Sequence, residues 1–273
     1  MNKTLIAMAV AGVMAAPMAA QADATVYGKV HVSVDAMSYD TAGVEDNTVL
    51  ASNSSRWGIK GSEDLGGGLK AIWKYESGIT VDENPGSMTA RNRYIGLSGG
   101  WGTVLGGRHD TPMKSVGRKV ELFPEYLGDH RNLTGPWDLR TPNTIAYVSP
   151  GFGQGFGFSA AYVLDHENDG DSANTDNNDQ TALCANLTWT SGNWYVGAAY
   201  ETHDRLTAVP GETVDESGMR VAASWTPGAW KLIGFYQSIS GQTSADDFDV
   251  MGLGAAYKMG KNVLKAQYFV QSN

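Results

Sequence analysis

Several short stretches of this chain carry residues at spacings that could do chemistry. Gly96-Leu97-Ser98-Gly99-Gly100 matches the G-x-S-x-G pattern, in which a sharp strand-to-helix turn exposes a nucleophilic serine. That turn needs a helix after the serine, and here another extended stretch, Thr103 to Gly107, follows. Gly151-Phe152-Gly153-Gln154-Gly155 is rich in glycine but opens no helix, so it is not a dinucleotide loop and no cofactor is expected. Asp165-His166-Glu167-Asn168-Asp169-Gly170, with Asp176 at the twelfth position, mimics an EF-hand loop. Its flanks read as strands and its last ligand is Asp rather than Glu. An acidic loop in water is the plainer reading, although such a loop could bridge lipopolysaccharide through divalent cations. His203 and Asp204 have no serine placed to complete a hydrolytic triad. Cys184, the one cysteine, excludes an internal disulfide framework and a multi-cysteine metal centre, and its small side chain suits a filler role. The sequence is therefore expected not to be an enzyme.

The composition narrows the class. The 273 residues carry 20 Lys and Arg against 29 Asp and Glu, a net charge of −9, so phosphate backbones should repel the chain and no nucleic-acid partner is expected. With 34 Gly, 27 aromatic residues and only 9 Pro, the chain suits an all-β protein with many turns. Met1 to Ala22 has Lys3 ahead of a short apolar run from Leu5 to Ala16, then Ala20-Gln21-Ala22 as a small-x-small cleavage site. It reads as a secretory signal peptide, with 23–273 as the mature domain. No later stretch is apolar over the ~18 residues a spanning helix needs. If the exported protein sits in a membrane, it must do so as a barrel.

The rest of the chain alternates with a period of two. In Ala24 to Asp35, Val26, Gly28, Val30, Val32 and Val34 share one face, and Tyr27, Lys29, His31, Ser33 and Asp35 the other. The pattern recurs in about thirteen segments: 24–39, 54–63, 69–80, 89–99, 102–110, 142–149, 156–164, 179–190, 194–203, 217–226, 230–239, 249–259 and 262–271. Each is close to the ~9–11 residues of a tilted membrane strand, and tight glycine turns alternate with long polar loops. Trp101, Phe152, Phe156, Trp189, Trp194, Trp225 and Trp230 crowd the turn ends, as an interfacial aromatic girdle would. A soluble sandwich hides its apolar faces between two sheets, whereas a membrane barrel turns them to lipid and lines its lumen with the polar ones. Uniform strand length and the signal segment favour a transmembrane antiparallel β-barrel. The lumen lining then includes Lys29, His31, Asp35, Arg56, Lys60, Lys70, Lys74, Glu76, Arg91, Arg93 and Arg108. A secreted adhesin or binding module, and less so an outer-membrane hydrolase, are the competing readings.

The stretch from Ser55-Arg56-Trp57-Gly58-Ile59-Lys60-Gly61-Ser62-Glu63-Asp64 through Leu65-Gly66-Gly67-Gly68-Leu69-Lys70-Ala71-Ile72-Trp73 resembles the second-to-third-strand hairpin of Gram-negative general porins of the neisserial and β-proteobacterial type. Three further stretches are similar in order: Arg93-Tyr94-Ile95-Gly96-Leu97-Ser98-Gly99-Gly100-Trp101-Gly102-Thr103-Val104, Gly107-Arg108-His109-Asp110-Thr111-Pro112 and Asn143-Thr144-Ile145-Ala146-Tyr147-Val148-Ser149-Pro150-Gly151-Phe152.

The resemblance implies a homotrimer of water-filled, sixteen-stranded barrels in the outer membrane, surrounded by lipid and lipopolysaccharide. It implies passive diffusion of ions and small hydrophilic solutes, and a loop over 109–141 that folds inward as a constriction. Asp110, Glu121, Glu125 and Asp129 of that loop would then face Arg56, Lys74, Arg91, Arg93 and Arg108 across a narrow gap, and a transverse field would disfavour apolar solutes. The mostly positive wall favours anions, against acidic loops. Ala146 and Val148 stand where the family usually carries an Arg and an acidic residue. Thirteen strands conflict with the even number of single-chain bacterial barrels, and no terminal aromatic precedes Asn273, so a chain lacking about three strands is expected, with a closed barrel of twelve or fourteen as the rival.

Overall fold

The computed structural model describes residues 23–38, 45–81, 88–164, 181–206 and 213–272. The proposed signal segment 1–22 and the acidic stretch 165–180 lie outside these residues. Among the described residues no helix is long and apolar enough to span a membrane. The strands are β1 (Asp23–Lys29), β2 (Val32–Met37), β3 (Asn47–Ser52), β4 (Arg56–Gly66), β5 (Leu69–Gly78), β6 (Thr89–Gly99), β7 (Gly102–Asp110), β8 (Arg140–Val148), β9 (Phe156–Val163), β10 (Ala182–Ser191), β11 (Trp194–Leu206), β12 (Thr213–Trp225), β13 (Trp230–Ser240), β14 (Phe248–Met259) and β15 (Asn262–Ser272). Between β7 and β8 lie α1 (Pro112–Val120), the short α2 (Arg131–Thr134) and a 3-10 turn, Gly135–Trp137.

Thirteen strands form one antiparallel sheet in which, from β4 onward, each strand pairs with the next in sequence; β1 pairs with β4 and β2 with β3 in a second ladder. Lys29 stands opposite Arg56 at the end of one ladder and Val32 opposite Ser52 at the start of the other. The two ladders are thus one hairpin interrupted by an irregularity, and among the described residues fifteen hydrogen-bonded strands make thirteen crossings. The expected segment 24–39 splits at Val30 and His31, and the second crossing extends back to Asn47. The cause is at Ser54, whose φ of 53° leaves the β region. Buried Ser55 repairs the gap: the His31 N–H donates to Ser55 Oγ at 2.9 Å and that hydroxyl donates to the His31 carbonyl at 3.1 Å.

The two faces differ as the alternation requires. Val26 (73% exposed), Leu253 (72%), Ile95, Leu183, Leu187, Tyr200 and Val221 stand open on one face. Their sequence neighbours Cys184, Asn186, Glu201 and Arg220 are buried on the other. At the short-turn end the outward face carries paired rings: Trp194 stacks on Trp225 at 5.4 Å, Phe152 stacks on Phe156 at 6.0 Å, and Trp230 lies tilted against Tyr257 at 4.6 Å. The Trp189 indole N–H donates to the Gln154 carbonyl at 3.0 Å. The amphipathic ring with a polar handle fits the boundary between hydrocarbon and water.

The inner face is not uniformly wet. Over β10–β14 it carries Cys184, Ala199, Ala222, Ile233, Phe235, Ile239, Val250 and Ala256, and these pack with Met113, Val116, Val120, Leu122 and Trp137 of the β7–β8 segment. Each fully buried apolar side chain of this kind contributes about 1.5–3 kcal/mol. Thr111 starts α1 as N-cap, its hydroxyl accepting the Lys114 N–H at 3.3 Å, and Pro112 fills the first turn, where its missing N–H costs nothing. Gly218 of β12 admits the Trp137 ring, since a Cβ there would come within 2.8 Å of it. Strand alternation alone could not reveal this dry sector, because its partner is a loop.

Ser55→Ala is expected to destabilise the protein by about 1–2 kcal/mol, through loss of two part-buried hydrogen bonds to the His31 backbone, whose carbonyl keeps the Asn53 N–H at 2.8 Å. Denaturant unfolding from lipid vesicles measures it; an unchanged midpoint would show that the break needs no repair.

Candidate functional site

Beside α1 the inner face holds a polar cavity of about 180 Å³. The wall contributes Arg56 (β4), Lys74 and Glu76 (β5), Arg91 and Asn92 (β6), Asp110 (β7) and Arg140 (β8); the segment between β7 and β8 contributes Lys114, Arg118, Glu125 and Arg131. That is seven cationic and three anionic side chains, a formal excess of four positive charges.

The carboxylates do not stand across water from the cations. Glu125 is buried and ringed: Lys29 Nζ reaches Oε2 at 2.8 Å, Arg56 Nη1 reaches Oε1 at 2.6 Å, and Arg91 and Arg118 stand at 3.6 Å. Burial pushes the Glu125 carboxyl up, but Lys29 and Arg56 outweigh it and hold it below the usual range. Its backbone is left-handed, with φ 73°, and its N–H donates to Asp129 Oδ2 at 2.7 Å. Glu76 accepts from the Tyr27 hydroxyl at 2.7 Å and Arg91 Nε at 2.7 Å, and pairs with Lys74 at 3.2 Å. Asp110 pairs with Arg140 at 3.0 Å and Lys114 at 3.2 Å, and accepts from Asn92 at 3.1 Å. Each acid is consumed locally, so the field across the cavity comes from the surplus of cations.

Of the residues singled out by sequence, Arg56, Lys74, Arg91, Asp110 and Glu125 meet at this cavity. Glu121 does not: its carboxylate accepts from the N–H groups of Phe123 at 2.6 Å and His130 at 2.9 Å in its own loop, bonds to the His130 ring, and accepts from Gln267 Nε2 of β15 at 2.8 Å. Lys60 points inward one step away, 5.7 Å over the Tyr27 ring. Arg93 is separated from Arg91 by a β-bulge. The register shifts between Tyr75 and Ser77, so that Glu76 opposes the Arg91–Asn92 stretch while Arg93 pairs with Tyr75 on the side of Ile59 and Val26. There Arg93 lies 4.3 Å over the Tyr75 ring and donates to Ser77 Oγ at 2.8 Å. Arg108 pairs in register with Arg93 and does not line the cavity. Strict alternation places Arg91 and Arg93 together; one inserted residue separates them. Lys114, Arg118, Arg131 and Arg140 were missed. The first two sit four apart on one helix face, a signal a helical reading of 112–120 would have found.

Glu121, Asp129 and His130 bring ligand atoms within 4.8 Å of one another, a spacing a cation could use. Those atoms already serve the turn: Asp129 accepts the N–H groups of Glu125 and Arg131, and Glu121 that of His130. They fold the loop tip rather than leave a site open.

The Gram-negative porin family matches residues 6–273. Major outer membrane protein P.IB of Neisseria meningitidis serogroup B is 32% identical over 216 residues, 76% of this chain and 61% of that protein. Its namesake in Neisseria gonorrhoeae is 33% identical over 172 residues, 60% of this chain and 48% of that protein. The chain thus spans about half to three fifths of these curated relatives. Among solved structures, an anion-selective porin from Comamonas acidovorans is similar with a TM-score of 0.78 and 26% identity, over 92% of this chain and 79% of that one. Salmonella typhi OmpF, in complex with daunomycin, shares the fold with a TM-score of 0.73 at 15% identity, over 91% of this chain and 78% of that one. A wall of antiparallel strands, apolar outside and charged within, and a family match over nearly its whole length lead to one conclusion: the chain belongs to the Gram-negative porin family.

Proposed function

We propose that this chain forms a water-filled channel through which ions and small hydrophilic solutes diffuse passively, with small anions favoured at its narrowest part. Its relatives are named major outer membrane proteins, and this chain is assigned to that membrane. No bond is made or broken in this function; what matters is the width and charge of the passage. The observation that carries the reading is the surplus of seven cations over three carboxylates around the polar cavity. A cluster of like charge with low-dielectric walls raises the local concentration of its counter-ion. The Comamonas acidovorans porin, similar at 26% identity, is anion-selective by name, which accords with this sign. The segment 109–141 is the constriction in this reading, since it borders the cavity through Asp110, Lys114, Arg118, Glu125, Arg131 and Arg140.

A homotrimer is part of the proposal. An Arg on the lipid face costs up to about 2–4 kcal/mol at the bilayer midplane. Arg93, with exposed Trp57 and Tyr75 beside it, makes an outward patch that a second copy would cover better than lipid. The remaining outward face meets lipid and lipopolysaccharide.

In planar bilayers under a potassium chloride gradient, the reversal potential should report preference for chloride. Glu125→Gln should strengthen that preference, and Arg56→Ser with Arg91→Ser should weaken it several-fold; a wild-type channel that prefers potassium would refute the anion reading. Acid should act on the loop. Burial raises the Asp138 and Glu121 carboxyls, but Arg220 beside Asp138 and His130 bonded to Glu121 hold both down at about 2. Depressed carboxyl pKa values stabilise the fold above the unfolded value of about 4, and that contribution disappears as pH falls through about 2. Conductance should therefore be steady from pH 7 to about 4 and become unstable only below, as measured by stepwise acidification of open channels.

A further inference from the structure

We propose that Arg220, which lies outside the cavity, is the positioning residue that locks the constriction segment to the wall and so fixes where the cavity charges stand. The proposal rests on the channel reading above. Arg220 projects from β12 and is fully buried. Its Nε donates to Gln237 Oε1 of β13 at 2.8 Å. Its Nη1 donates to the Met113 carbonyl at 3.0 Å and to Asp138 Oδ1 at 3.0 Å; its Nη2 donates to Asp138 Oδ2 at 2.9 Å and to the Trp137 carbonyl at 3.4 Å. One guanidinium thus holds the beginning of the segment, at Met113, and its end, at Trp137 and Asp138.

The apolar packing of Val116, Val120 and Trp137 on the wall is strong but non-directional, and a helix can slide on such a surface. The planar fork supplies the missing direction, because a bidentate carboxylate and two carbonyls can be met in only one pose. The segment is shaped to receive it: at Gly117 of α1 a Cβ would come within 2.7 Å of Nη1. The lock also connects to the cavity. Lys114 Nζ donates to the Asp138 carbonyl at 2.9 Å and pairs with Asp110 at 3.2 Å, so displacement at Asp138 moves a cavity cation.

The test is single-channel recording of the full chain with Arg220→Lys, Arg220→Ala, Asp138→Asn and Gly117→Ala. Loss of the fork should raise the frequency of transitions between conductance levels by about tenfold or more, the scale of one hydrogen bond to a charged group. Arg220→Lys keeps the charge and should not rescue; Gly117→Ala keeps every charge and should reproduce the noise by displacing the fork. The main open level, in which the segment keeps its wild-type pose, should retain the wild-type reversal potential, because no cavity charge is removed, whereas Glu125→Gln should shift it. Channels of Arg220→Ala as quiet as the wild type, or full rescue by Lys, would overturn the lock. If Arg220→Ala does not fold, Asp138→Asn and Gly117→Ala decide. If the wild-type chain conducts nothing, the channel reading fails on its own, and trypsin decides the lock: cleavage at Arg118, Lys119 and Arg131 should be about tenfold faster in the variants, and equal rates would overturn it.

Discussion

A peptide group in hydrocarbon has no water to bond, and each one left unpaired costs several kcal/mol. Everything else in this protein follows from meeting that condition with strands. Pairing each strand with its neighbour in sequence satisfies the ladder with the shortest connections. Pairing also forces side chains to alternate, so one face can be apolar only if the other is free to be polar. Where the ladder breaks, at Val30–His31 and Asn53–Ser55, the buried Ser55 hydroxyl bonds the His31 N–H and shares its carbonyl with the Asn53 N–H. The exposed Val26, Leu187 and Leu253 and the charged Arg56, Glu76 and Arg91 are two outcomes of one geometric rule.

The interior then poses the opposite problem. An inner wall of charges is wet and open, and nothing in a sheet narrows it. The segment between β7 and β8 lies against that wall because part of it, over β10–β14, is apolar and gives it a place to adhere. Its buried polar groups are paired rather than exposed: Asp138 with Arg220, Glu121 with His130, Glu125 with Lys29 and Arg56. Breaking such a buried pair typically costs about 3–5 kcal/mol, so these contacts specify one position for the segment. Consuming the acids in this way also leaves the cavity with its positive surplus. A transverse field between acidic loop and basic wall, the expectation from sequence, gives way to a collar of cations with carboxylates held among them.

The sequence carried the strands well, because period-two alternation is a direct image of the sheet and every crossing is close to one length. Thirteen crossings, their turns and the outward ring of aromatics were legible from Val26, Leu187, Trp194 and Tyr268 and their neighbours. The site was legible only in part. Arg56, Lys74 and Arg91 follow the alternation, but Arg93 departs from it at a bulge that no residue pattern announces, and Glu121 departs because a loop can fold upon itself. Lys114 and Arg118 belong to a helix inside a chain otherwise read with a strand period. The match of Arg220 to Asp138 spans 82 residues and depends on packing that alternation does not encode.

The central claim concerns which side of the sheet meets hydrocarbon. The most direct measurement places a fluorescent reporter, one position at a time, at Val26 and Leu253 and at Lys60 and Lys70 in protein reconstituted into vesicles, with Cys184 replaced by serine. Brominated lipid should quench the first pair and leave the second to water-borne quenchers. Equal quenching at all four positions, or the inverse assignment, would contradict the account.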